Sequence, residues 1–200
     1  KIRSQDIAIV GMGLRLSGVS TPQECWTFLK GTEDSFQPVP KIRWDHQYFS
    51  QLSSMDNLCP AGSFLADIFS FDAKRFGMKE EEAKRCNPQY RLFLEVATEA
   101  MEDSGLAGGR VGVFVSQGES PTNFRNYLTD LETGQGDILG ILGNSTNNMI
   151  AANVSKHFDL KGPAMVVQAA CASSLVAVHQ ACRALQVNDC DAAIVGGVEL

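Results

Sequence analysis

Twenty consecutive residues, Pro163 to Cys182, pass without a single Asp, Glu, Lys or Arg. The stretch opens with the β-branched pair Val166 and Val167, which suits the end of a strand, and continues as "CASSLVAVHQACRAL", which suits a helix. A strand and a helix in succession that both lack charge must each be covered on most sides. The run is long enough to cross a bilayer, but Gln168, Ser173, Ser174, His179 and Gln180 interrupt it, and its apolar residues are mostly Ala and Val. It reads as a buried strand and helix of a soluble protein, with Cys171 at their junction.

The same alternation runs along the chain. "DIAIVGMG" (6–13) reads as a buried strand entering a tight turn, and "TPQECWTFLKG" (21–31) as a capped short helix ending at Gly31. Residues 32–70 scatter aromatic residues without a period, as in a long irregular excursion. "NPQYRLFLEVATEAMEDSG" (87–105) is the clearest helix: Asn87 caps it, Pro88 takes its first position and Gly105 ends it. Further strands are expected at 110–117, 162–170 and 190–200, and further helices at 122–132, at 144–158 and after Cys171. Strand, helix and strand in repetition predict an α/β protein with a mainly parallel sheet and right-handed crossovers.

Gly11, Met12 and Gly13 invite a dinucleotide-binding reading. That fingerprint needs a third Gly or Ala where this chain has Leu16, and a helix opening at once where Ser17, Gly18, Ser20 and Pro22 follow. No directly bound cofactor is expected.

Two hundred residues suffice for one domain of ordinary size without disulfides. A formal net charge of -6 lacks the basic footprint of a nucleic-acid binder. The six cysteines show neither Cys-x-x-Cys spacing nor histidine neighbours suited to zinc, so no metal site is expected and a reducing cytoplasm is the simpler setting. "KIRSQDIAIV" carries no apolar run long enough for a secretory signal.

A thiol at a strand-to-helix junction meets unpartnered backbone N–H groups and the positive end of the helix dipole, and both favour a thiolate nucleophile. The same N–H groups suit the oxyanion of acyl transfer. The small neighbours Ala169, Ala170, Ala172, Ser173 and Ser174 fit a sharp turn. Local physics leaves two readings of Cys171 open, a nucleophile and a buried apolar thiol. No histidine pairs with it on spacing: His179 lies eight residues on, roughly 12 Å along a helix, and sequence alone positions neither His157 nor His46.

"QAACASSLVAVHQACRAL" closely resembles the nucleophile segment of β-ketoacyl synthases, the condensing enzymes of fatty-acid and polyketide synthesis. "DIAIVGMGLRLSG", "CWTFLKG", "VPKIRWD", "GSFLADIFSFDAKRFGMKEEEA", "NPQYRLFLEVATEAMEDSG" and "NVSKHFDLKGPAMVV" resemble further family segments, in order, over nearly all 200 residues. The form resembles modular polyketide synthases more than stand-alone fatty-acid enzymes. The resemblance implies a thiolase-like fold, with a mixed, mainly parallel sheet and helices on both faces, of which residues 1–200 form the N-terminal half. It makes Cys171 the catalytic nucleophile, acylated from a carrier-protein thioester before decarboxylative condensation with a malonyl-type extender. It also implies an acyl carrier protein with a phosphopantetheine arm, a homodimer, and neighbouring polyketide synthase domains. The family's two catalytic histidines and its lysine belong to the second half, so residues 1–200 alone are expected to be inactive. Gln168, Ala169 and Ala172 stand where the family usually has Asp, Thr and Ser, and Cys86 and Asn87 replace a common Met-Asp, departures that bear on subfamily and substrate. A non-elongating homologue that only binds or transfers acyl chains is the alternative. Lys74, Arg75, Lys79, Lys84, Arg85 and Arg91 form a basic run diluted by acidic residues, which reads as a solvated mixed-charge face before a docking patch.

Overall fold

A computed structural model of the chain describes residues 6–43, 60–118, 128–129, 132–134 and 146–200. It divides into two compact units, residues 13–68 and the remainder.

In the smaller unit, helix α1 (Pro22–Lys30) starts where the sequence places it. The Thr21 hydroxyl accepts from the Glu24 N–H, while the Glu24 carboxylate accepts from the Ser20 and Thr21 N–H groups in a reciprocal cap. Those backbone donors, Ser20 first, hold the Glu24 carboxyl below its usual range. Among the described residues of the irregular excursion, β1 (Gln37–Pro38) pairs antiparallel with β2 (Ala61–Gly62). His46 lies outside the described residues.

The larger unit carries α2 (Glu80–Arg85), α3 (Pro88–Ser104), β3 (Val111–Gln117), α4 (Ile150–His157), β4 (Ala164–Val166), α5 (Ser173–Gln186) and β5 (Ala192–Val198). Its three strands run parallel in the order β4-β3-β5, with Val113 opposite both Ala164 and Ile194. The α/β expectation is met, and α3 forms as read: the Asn87 side chain caps the Gln89 N–H, Pro88 leads, and Gly105 ends the helix at φ +68°.

Alternation along β3 and β5 sorts the core into two layers. Val111, Val113 and Val115, with Ala192 and Ile194, face α3 and α4, whose Phe93, Leu94, Ala97 and Val154 are buried against them. Phe114, Ala193 and Val195 face α5, which answers with Ala177, Ala181 and Ala184. Helices therefore cover both faces. The two glycines of β5 mark where each layer comes closest: a Cβ at Gly196 would stand 2.7 Å from the Phe93 ring, and one at Gly197 would stand 2.4 Å from the Ser174 hydroxyl.

Three expectations shift, and a fourth falls mostly on residues that are not described. The opening run 6–13 forms no strand and leaves Ile7, Ile9 and Val10 exposed. An apolar run becomes a strand only beside a partner, and the described sheet ends at β4 and β5. Gly11 instead presses on the end of α3, where a Cβ would lie 2.2 Å from the Ala100 carbonyl oxygen, and the Met12 N–H donates to Asp103 Oδ2. The strand expected over 162–170 is only three residues long, because from Ala169 the chain leaves the sheet to make the turn at Cys171. The helix expected over 144–158 begins as a 3-10 turn at Asn147 and becomes α-helical at Ile150. Most of the helix expected over 122–132 lies outside the described residues.

Candidate active site

In a parallel sheet all carboxyl ends of the strands share one edge, where α/β proteins gather their functional groups. Here β3 ends at Gln117, β4 at Val166 and β5 at Val198, and the Gly118 N–H donates to the Val198 carbonyl. Cys171 lies on that edge, in a 3-10 turn, Ala170–Ala172, between β4 and α5. Its side chain is exposed. Within the described residues it is not enclosed as an apolar core thiol would be.

The turn is held by its neighbours. Ala170 sits at φ +49°, a left-handed conformation that a residue with a Cβ adopts only when its surroundings impose it. The Ser173 hydroxyl accepts from the Ala169 N–H and donates to the Ala170 carbonyl, each at 2.7 Å. One residue on, the Ser174 and Ser116 hydroxyls meet at 3.1 Å over Gly197 and tie the first turn of α5 to β3. The small residues read from the sequence do leave room for the turn, and the serine pair Ser173-Ser174, two residues after the cysteine, is the sequence signal for the hydrogen bonds that hold it.

The other thiols differ. Cys86 and Cys190 are buried, and burial pushes the Cys86 thiol up to about 12 and raises that of Cys190. Cys25 and Cys182 are half-buried, and Cys59 lies outside the described residues. Of the described cysteines, Cys171 is the exposed one.

Neither described histidine comes to Cys171. His179 lies on α5, two turns beyond the cysteine, as the spacing predicts. His157 ends α4, three residues before Leu160 bridges Gly109 at the start of β3, so it lies at the opposite edge of the sheet. Its ring packs on Phe76 and Phe158, and burial lowers its pKa. In the basic run, Arg75 pairs with Glu102, Lys84 pairs with Glu81, and Arg91 donates to the Ala83 carbonyl, as a mixed-charge face requires. Among the described residues no cluster of three or more His, Cys, Asp or Glu side chains is grouped to hold a metal, and no helix is long and apolar enough to cross a membrane.

A parallel sheet with helices on both faces and a cysteine on a strained turn after β4 matches a known class: the thiolase-like α/β fold. Within it, the chain belongs to the β-ketoacyl synthase family, since residues 4–200 match the family described as "Beta-ketoacyl synthase, N-terminal domain". It is similar to the oxazolomycin ketosynthase domain OzmH KS7 of Streptomyces albus JA3453, with a TM-score of 0.82 at 31% identity over 96% of this chain and 35% of that one. It is also similar to the ketosynthase from module 6 of the bacillaene synthase of Bacillus subtilis 168, with a TM-score of 0.79 at 32% identity over 96% of this chain and 31% of that one. Among curated proteins it is 38% identical to the pikromycin polyketide synthase component PikAII of Streptomyces venezuelae, over 98% of this chain and 5% of that protein. It is 36% identical to the highly reducing polyketide synthase Preu5 of Preussia isomera, over 97% of this chain and 8% of that protein. The chain thus spans about a third of the solved ketosynthases and under a tenth of these two relatives.

Proposed function

We propose that the chain is the N-terminal portion of a ketosynthase domain of a polyketide synthase, and that Cys171 is its acyl-accepting nucleophile. The observation that carries this reading is the exposed Cys171 on a turn strained at Ala170, at the carboxyl edge of a parallel sheet and the amino end of α5. The sulfur attacks the carbonyl of a carrier-protein thioester. The new thioester forms as the phosphopantetheine thiolate leaves, and the proton lost by Cys171 balances the one that thiolate takes up. Decarboxylation of a malonyl-type extender then supplies the carbanion that attacks the acyl-cysteine, the step for which the family uses histidines beyond these residues.

The outer stripe of α5 supports a covering second portion: Leu175 is 78% exposed and Val178 45% exposed on a helix with a single charged residue, Arg183. An acyl carrier protein with its phosphopantetheine arm, sister domains in the same polypeptide, a homodimer and a cytoplasmic location belong to the same proposal. Among the described residues β4 is an edge strand with Met165 exposed, which suits pairing with a second copy.

The test is to incubate the full-length protein with an acyl-loaded carrier protein and to map the acyl group by peptide mass spectrometry. Acyl mass on Cys171, lost in Cys171→Ala, is the expected result, whereas loading on another cysteine refutes it. The same assay distinguishes the alternative, because transacylation needs the cysteine alone. A non-elongating homologue loads Cys171 and releases no elongated product when malonyl carrier protein is added.

A further inference from the structure

The Ser173 hydroxyl holds both sides of one strained residue. It accepts the Ala169 N–H and donates to the Ala170 carbonyl, so it closes a ring around Ala170, whose φ is +49°. The Ala170 carbonyl also accepts the backbone N–H of Ser173 itself. Side chains of Ser commonly bond to nearby backbone groups, but most do so through one bond at a helix start. Here two bonds at 2.7 Å converge on a turn that also carries the exposed Cys171, and α5 has no side-chain cap of its own.

We propose that Ser173 is a positioning residue for acyl transfer: its hydroxyl staples the turn that presents Cys171 to the acyl thioester. The inference rests on the reading of Cys171 as the nucleophile. Without the staple, nothing described in the turn replaces the bond to the Ala169 N–H, and Ala170 is free to relax toward negative φ, which swings the next residue, Cys171. A displacement of a reacting atom costs rate far more than it costs stability.

The experiment compares three variants of the full-length protein by the second-order rate of Cys171 alkylation with iodoacetamide, and separately by kcat and KM for acyl loading. Ser173→Ala is expected to slow alkylation about tenfold and to lower kcat with little change in KM. Ser173→Thr keeps the hydroxyl and is expected to stay within about threefold of the parent. Ser155→Ala is the control. Ser155 Oγ donates to the Leu160 carbonyl at the opposite edge of the sheet, so its loss removes a comparable bond and is expected to leave Cys171 untouched. The proposal is overturned if Ser173→Ala alkylates at the parent rate, if Ser155→Ala slows it equally, or if Ser173→Thr is as slow as Ser173→Ala. A parent protein that alkylates at Cys171 yet takes no acyl group there refutes the ketosynthase reading and leaves the staple to be judged on alkylation alone.

Discussion

The two faces of the three-stranded sheet are packed to different ends. On the α3 and α4 face, large residues fill the layer, and Leu94, Val113 and Val154 are fully enclosed. On the α5 face the helix offers alanines, and the small side chains let its backbone come close to β3 and β5. The first layer secures stability, since burying each large side chain contributes roughly 1.5–3 kcal/mol. The second sacrifices buried area for proximity, and that proximity brings Ser174 against Ser116 and Gly197 directly after the cysteine turn. Stability and chemistry are therefore separable, one on each side of the same strands.

Leu94→Ala strikes the first layer and has the largest expected effect on folding: a loss of about 3 kcal/mol or more by urea denaturation, with the alkylation rate of Cys171 in the folded protein unchanged. A coupled loss of both would show that the layers are not independent. Gly197→Ala strikes the second. Its methyl group would stand 2.4 Å from the Ser174 hydroxyl and 2.7 Å from that of Ser116, so the start of α5 must lift. The expected outcome is about 1–3 kcal/mol of stability lost, with acyl loading reduced about tenfold. Gly197→Ala with unchanged loading would remove the link between α5 placement and the site.

The thiols extend the comparison to pH. Burial pushes Cys86, in the first layer, up to about 12, while an unfolded thiol ionises near about 8.5. Between those values the unfolded chain releases a proton that the folded chain keeps, so this contribution to stability is complete below the unfolded value and is lost as pH rises toward the folded one. Cys86→Ala should therefore show a shallower fall in stability between pH 8 and 10, by roughly 1–2 kcal/mol, and identical slopes would contradict the burial argument. The smallest effect is expected from Ser116→Ala, which leaves the Ser174 hydroxyl without its partner at a cost of about 1 kcal/mol. Acyl loading should fall by less than in Gly197→Ala, because nothing is pushed.

Features set by near neighbours were legible in the sequence. The cap at Thr21, the Asn87-Pro88 start and the Gly105 stop of α3 all formed where expected, because each is decided within four residues. The strand β3, the parallel arrangement and the place of Cys171 at a strand-to-helix junction were also legible. Features set by distant partners were not. The run 6–13 has the composition of a strand but no described neighbour to pair with. The distance of His157 from Cys171 follows from the crossover through α4, which no local spacing encodes. The Ser173 staple needs the positive φ of Ala170 to exist, and alanine gives no warning of that conformation.

The central claim is that Cys171, alone among the described cysteines, is presented for acyl transfer. Peptide mass spectrometry of the full-length protein after exposure to an acyl-loaded carrier protein tests it most directly. The account predicts one acyl group per chain on Cys171, and none on Cys25, Cys86, Cys182 or Cys190. An acyl group found on any of those four while Cys171 stays free would contradict it.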